Sequence, residues 1–225
     1  MTTFVDAEIK DLDLEVKEGE NLEVRFASFA SFPSVKIHVK VQKDATFDGA
    51  FADFSLGKGK VEVTVELLGE GAKATWHYAG IASKDSEKVI QASIDHIAPN
   101  TFGRINQYGI ALDQGRLSFF GASEIEKGAY GSDTSQKEKI IVFDQGAVGK
   151  CSPALNIDEN DVVASHSAVV GKLPDEHMFY LLSRGLREPV AKRLLVLGYL
   201  RPVLTHFEGE LAERISAQIE EGFLA

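Results

Sequence analysis

The sequence predicts a mainly β protein with a helical tail. We read a right-handed parallel β-helix-like core over residues 1–172 and a small C-terminal α-helical subdomain over residues 173–225. Three observations carry this reading. Apolar residues alternate with polar ones through most of the first 165 positions, the mark of half-buried strands. Short strands close in turns such as Gly71-Ala72, Gly128-Ala129 and Gly146-Ala147, at roughly repeat-length spacing, as a coil of stacked rungs would. Between Asp161 and Leu200 the apolar period changes from strand to helix. The turn spacing is irregular, and a β-sandwich would give many of the same short strands.

The elements follow in order. In DLDLEV, Leu12, Leu14 and Val16 share one face; Glu18 to Asn21 is a turn by composition; LEVRF alternates again. Pro33 interrupts the chain. VKIHVKV is the cleanest strand, with Val35, Ile37, Val39 and Val41 inward and His38 on the polar face, read as solvated. Strands continue through VEVTVELL and beyond GEGA, and the last strand-like segment carries His166. Pro174 suits the first turn of a helix, where its missing N–H is no loss, and Gly185 suits its end. Pro189 opens a second helix and Pro202 ends or kinks it. GELAERISAQIEEGFL is a third, amphipathic helix with Leu211, Ile215 and Ile219 on one face. Because each rung of a coil packs mainly on its neighbours, removal of the tail after about residue 172 is expected to leave the β body folded.

Composition excludes several classes. A formal charge of −10 and a pI near 5.1 argue against nucleic acid, whose phosphates need clustered Lys and Arg. No apolar run is long enough to span a bilayer, and the acidic, alternating N-terminus has no targeting pattern, so a cytoplasmic protein is expected. The sequence has no Walker A motif, dinucleotide fingerprint, H-E-x-x-H or G-x-S-x-G, so no enzyme class is indicated. In DENDVV, Val162 falls where a calcium loop needs a ligand. Ser165, His166 and Ser167 alternate across a strand, which places neighbours badly for a catalytic dyad. The single cysteine, Cys151, excludes an internal disulfide and, with six histidines, cannot supply a conventional four-thiolate cluster site within one chain.

The run SHSAVVGKLPDEHMFYLLSRGL followed by AKRLLVLGYL resembles the C-terminal signature of the SufB/SufD family. There a Cys-Ser-His-Gly-Ala-Thr-Val-Gly run precedes an acidic helix, Phe-Tyr-Leu, Ser-Arg-Gly and a second helix. The matching residues are Ser165, His166, Ala168, Val170, Gly171, Phe179, Tyr180, Leu181, Ser183, Arg184, Gly185, Ala191 and Gly198. A second set, His96, Pro99, Thr101, Gly109, Asp113, Gly115, Phe119, Gly121, Thr134, Pro153, Leu155 and Ile157, extends the likeness over roughly residues 70–225. The pattern is closer to SufD than to SufB. The chain looks like a short form, without the helical N-terminal region of ordinary SufD-like proteins.

The resemblance implies a scaffold subunit for iron–sulfur cluster assembly, with no enzymatic activity of its own. Its partners would be a SufC-like ABC-type ATPase and a second β-helix subunit, either SufB-like or another copy of this chain. The cluster would be transient and shared across that interface, not tightly held by the isolated chain. His166 becomes a candidate ligand or proton relay, on a strand position that can fall on an outward face. Cys151 is a lesser candidate; free cysteines are commonly buried hydrophobes. The family's cysteine before Ser-His is Ala164 here. Phe179, Tyr180, Arg184, Gly185, Leu194 and Gly198 become candidates for the ATPase contact. Two other readings stand beside this one. The first is a β-helical carbohydrate-active enzyme, which would show carboxylates converging on an exposed sheet face. The second is an ATPase-binding regulator without a cluster role. An unpaired terminal strand near His166 would favour the scaffold.

Overall fold

A computed structural model describes residues 1–221 with their side chains and the helical backbone to residue 224. Among the described residues, strands fill the chain to Lys172 and three α-helices follow. One sheet contains β1 (Thr2–Val5), β3 (Asn21–Ser28), β5 (Thr46–Asp53), β7 (Lys73–Ala82), β9 (Phe102–Ala111), β11 (Asp133–Val142) and β14 (Val163–Lys172), in that spatial order. The other contains β2 (Leu12–Val16), β4 (Val35–Val41), β6 (Lys58–Leu67), β8 (Glu87–His96) and β10 (Arg116–Ile125), ending on β12 (Val148–Cys151) and β13 (Ala154–Ile157). Both of these last strands pair with β10. Every pairing between named strands is parallel and joins strands from successive turns of the chain. This is a parallel β-helix flattened into two facing sheets. The sandwich alternative fails because its hairpins would pair strands antiparallel.

The rungs lengthen along the chain. Thr2 lies opposite Val24, 22 positions on, whereas Gly103 lies opposite Thr134, 31 positions on. This drift hides the repeat from a fixed-period reading. One corner nonetheless recurs on each turn: Gly19, Asp44, Gly71, Asn100 and Gly131 all have φ between 53° and 72°. Each of these residues donates its N–H to the corresponding loop one turn later. Gly, Asn and Asp are the residues that adopt this left-handed conformation at least cost.

Odd and even positions separate as predicted. Val35, Ile37, Val39 and Val41 are buried inside the coil, and Lys36 and Lys40 face out. His38 departs from the solvated reading: it lies between Asp13 (3.3 Å) and Glu66 (3.1 Å). The early interior is aromatic. Phe4 stacks on Phe26, which also meets Phe51 and Trp76; Tyr78 packs edge-on against Phe51 and Phe119. One ion pair is wholly enclosed. Lys88 Nζ lies 2.6 Å from Asp53 Oδ2 and also donates to the Ser55 and Ile81 carbonyls. Burial depresses the lysine pKa, and Asp53 opposes that depression. All three ammonium hydrogens have acceptors, the condition under which a buried charge is tolerated.

The tail begins where the period changes. α1 (Asp175–Ser183) follows Pro174, which occupies the capping position just before the helix. Gly185, with φ +85°, ends it: its N–H bonds the Leu182 carbonyl and the Leu186 N–H bonds that of Leu181. This is the paired closure that a left-handed glycine permits. α2 (Glu188–Leu204) carries Pro189 in its first turn and Pro202 in its last. α3 (Gly209–Leu224) follows a short loop.

Helices α2 and α3 lie against the outer face of the first sheet, and α1 packs on α2. Val196, Leu200, Val203, Ile215 and Ile219 form a second apolar core with Ala50, Ala52, Phe54, Ala79, Ile81, Ile110 and Ile141. The small residues on β5 and β7 let the helices approach closely. This second core adds a cost to the expectation that the β body stays folded after loss of its tail. Deletion would expose a contiguous apolar face of the sheet.

Candidate functional site

The last turn of the coil forms the candidate site. Parallel register places directly opposed residues on the same face of a sheet, so rows can be followed through the whole molecule. One inward row reads Val24, Gly49, Trp76, Ile105, Gln136, His166. The next reads Phe26, Phe51, Tyr78, Gln107, Glu138, Ala168. The coil interior thus changes from aromatic to polar along its length. On the opposite sheet, Cys151 ends the row Val61, Ile90, Phe119.

His166 therefore sits on an inward row, which corrects the outward-face expectation. It is nevertheless exposed, because no further rung among the described residues covers it. β14 pairs with β11 on one edge, and its other edge is free among the described residues. The Val163 and Leu173 N–H groups bond back across to the β11 side. In a parallel strand successive residues turn their peptide groups to opposite sides. Ala164, His166, Ala168 and Val170 accordingly direct theirs to the open edge. Val163, Val169 and Val170 are also exposed there, at 65%, 51% and 45%.

Beneath this edge, beside the matched Gly121, lie three polar residues that the sequence reading did not single out: Gln107, Gln136 and Glu138. Gln136 donates to Ser123 Oγ and the Ala154 carbonyl, while its own Oε1 has no partner. Both carboxylate oxygens of Glu138 and both amide atoms of Gln107 also lack a well-formed hydrogen bond. Gly121 makes the room: a Cβ there would meet Glu138 Oε1 at 2.6 Å and Gln136 Oε1 at 2.8 Å. Burial pushes the Glu138 pKa up to about 7; the nearby Gly121 and Ser152 N–H groups pull it back only in part. The signal missed in the sequence was the strand itself. DTSQKEK is polar on both faces, so alternation between core and solvent left no trace in hydropathy.

Cys151 is half-buried at the end of β12, packed against the coil's apolar core. Burial, with the Glu138 charge behind it, pushes the thiol up to about 12. It is a protonated thiol at neutral pH, not a ready nucleophile. His96, matched by the resemblance, is a buried corner residue. Its Nδ1 meets Thr101 Oγ1 at 2.8 Å, Thr101 meets Ser132, and burial lowers the ring's pKa to about 4.

The remaining sequence candidates lie apart, on the helices. Phe179 and Tyr180 on α1 are 74% and 56% exposed, and the Arg184 guanidinium lies over the Tyr180 ring. Leu194 on α2 is exposed too. Gly198 lines a shallow groove between α2 and α3 with Leu197, Arg201, Ala212 and Ile215. Gly185 is the backbone hinge that sets α1 against α2. No helix among the described residues is long and apolar enough to cross a membrane.

Comparison with known proteins bears on this arrangement. Residues 20–199 match the family model described as SUF system FeS cluster assembly, SufBD core domain. An iron–sulfur cluster assembly SufBD family protein of Mycobacterium tuberculosis is 28% identical over 212 residues, 92% of this chain and 25% of that protein. The iron–sulfur cluster assembly protein SufD of Bacillus subtilis is 28% identical over 196 residues, 84% of this chain and 45% of its own. SufB of the same organism is 27% identical over 154 residues, 68% and 33%. The chain thus spans less than half the length of each of these relatives. A parallel β-helix with an open polar end, matched over residues 20–199 by the core-domain model, places the chain in the SufB/SufD family of iron–sulfur cluster assembly proteins.

Proposed function

We propose that this chain is a scaffold subunit on which an iron–sulfur cluster is assembled, at an interface between its open coil end and a second β-helix subunit. That subunit is SufB-like or a second copy of this chain. A SufC-like ATPase docks on the helical tail and supplies the ATP chemistry. The observation carrying this reading is the free edge of β14. It presents unpaired peptide groups, exposed valines and His166 together. Edges of this kind invite pairing unless charges blunt them. The edge at the other end of the second sheet is blunted in that way, by Asp13 and Glu15 on β2. A two-fold axis across β14 would run two such edges antiparallel and bring two polar interiors face to face.

The donor set fits a shared site and not a private one. Protein-held clusters usually take four thiolates or a mixture with imidazole. This chain offers one protonated thiol and one terminal imidazole at the same end. The nascent cluster is cargo here, and the remaining ligands come from the second subunit. The carbohydrate-enzyme alternative rested on converging acids. The outer face of the second sheet does carry Glu66, Asp95 and Glu124 in one row. Burial and those two neighbours raise the Asp95 pKa to about 6. Family membership favours the scaffold over that reading.

The test uses the edge. Ala168→Pro removes an N–H that points away from β11, so the existing ladder is kept. We expect the variant to fold and bind the ATPase but to elute without its β-helix partner when co-expressed and sized by light scattering. A complex of unchanged mass would sink the edge-pairing model.

A further inference from the structure

We propose that Asp48, His77 and His206 form a binding site for one divalent first-row transition-metal ion, which fastens the α2–α3 loop to the outer face of the β-helix. The site is far in sequence and separate in fold from the open coil end. Asp48 on β5 and His77 on β7 are outward residues of adjacent strands, and His206 descends from the loop between α2 and α3. His77 Nε2 lies 4.0 Å from Asp48 Oδ2, and His206 Nδ1 lies 3.9 Å from Asp48 Oδ1. The three ligand atoms all fall within 4.8 Å of one another. Metal bonds of about 2.0–2.1 Å in a tetrahedron separate ligands by roughly 3.3 Å, so shifts on the order of an ångström close the site. Two imidazoles and one carboxylate, with a position left for water, are a donor set typical of Zn²⁺ or Fe²⁺.

Three further features point the same way. The imidazole rings stack with centroids 3.9 Å apart, each presenting a ring nitrogen to the Asp48 carboxylate. Asp48 Oδ1 is a buried atom without a hydrogen bond. Arg25 Nη1 is 2.6 Å from it, but that nitrogen directs its two hydrogens at the Val24 and Asp48 carbonyls. Third, the supporting shell is in place. Thr75 donates to Asp48 Oδ2, the Asn106 side chain meets His77 Nδ1 at 3.4 Å, and Arg25 Nε–H donates to the His206 carbonyl. With its amide turned over, Asn106 would accept the Nδ1 proton of a metal-bound His77. The Arg25 charge opposes a cation, yet it is shared with Glu23 as well as Asp48.

The experiment titrates the metal-free chain of residues 1–225 with Zn²⁺ by calorimetry and with Co²⁺ by visible absorption. We expect one ion per chain, tetrahedral Co²⁺ bands without thiolate charge transfer, and a raised thermal midpoint. His77→Gln and His206→Gln should each weaken binding at least tenfold. His38→Ala, His166→Ala and Cys151→Ser should not. If His77→Gln fails to fold, His206→Gln decides, since that ring sits half-buried in a loop. Absence of stoichiometric binding by the wild-type chain overturns the proposal. So does binding that survives His206→Gln, or binding abolished by a change at residue 38, 151 or 166.

Discussion

His166 ends a row whose earlier members are Val24, Gly49, Trp76, Ile105 and Gln136, and its exposure comes from position alone. An exposed imidazole adds little packing, so His166→Ala should leave the melting curve and ATPase binding nearly unchanged. Iron and sulfide per anaerobically purified complex should fall if the proposed role holds, since the proposed interfacial ligand or proton carrier has gone. Cys151→Ser should have the smaller effect, since burial, with the Glu138 charge behind it, raises the half-buried thiol's pKa to about 12. Normal cluster content in the alanine variant would remove His166 from the proposed chemistry. Glu138 allows a stability test. Its folded pKa of about 7 lies above the usual 4.5, so the native state holds that proton more tightly than the unfolded chain. Its contribution is therefore most favourable below about pH 4.5 and is lost as pH rises toward 7. Glu138→Gln should raise stability above pH 7.5 by about 1–2 kcal/mol, allowing for solvent at the open end, and flatten the pH profile between 4.5 and 7. A melting temperature unchanged at pH 8 would count against a strained carboxylate there.

The helices were legible because their punctuation was: Pro174, Gly185 and Pro189 mark the boundaries within a residue or two of where they fall. Strands such as β4 were legible because one face is aliphatic and the other charged. β11 was not, since its inward Thr134, Gln136 and Glu138 are as polar as its outward Ser135 and Lys137. The second core was also hidden, because an alanine on an outer strand face has the same composition whether water or a helix covers it. That core makes tail deletion a poor probe of the proposed ATPase contact. Surface changes on α1 are better. The aromatic pair Phe179 and Tyr180 has no buried role in this chain, and aromatic anchors commonly dominate binding. The double change Phe179→Ala, Tyr180→Ala should weaken SufC-like ATPase binding at least tenfold in a pull-down or calorimetric titration. Circular dichroism and thermal midpoint should stay within experimental error. Retained affinity would move the contact to the groove at Gly198.

Across the whole molecule the coil is asymmetric, and the sequence concealed it because each interior row is assembled from positions 22 to 31 residues apart. The aromatic rungs around Phe26, Phe51, Trp76 and Tyr78 bury large side chains completely. The last rungs enclose Gln107, Gln136 and Glu138, several of whose polar atoms are unpaired, and end on strands that are mostly exposed. An unpaired buried polar group costs about 1–3 kcal/mol, whereas a fully buried aromatic contributes favourably. In a stacked-rung protein each rung depends on its neighbours, so local stability should fall along the coil. Amide hydrogen exchange on the isolated chain should accordingly find β5 and β7 slowest and β12 to β14 fastest. Addition of the β-helix partner should slow exchange chiefly at Ala164, His166, Ala168 and Val170, whose N–H groups face the free edge. Their odd-numbered neighbours, already bonded to β11, should change less. Alternate-residue protection of that kind distinguishes a new strand pairing from a loose surface contact. Uniform protection across β14, or none, would mean that the partner covers this end without extending the sheet.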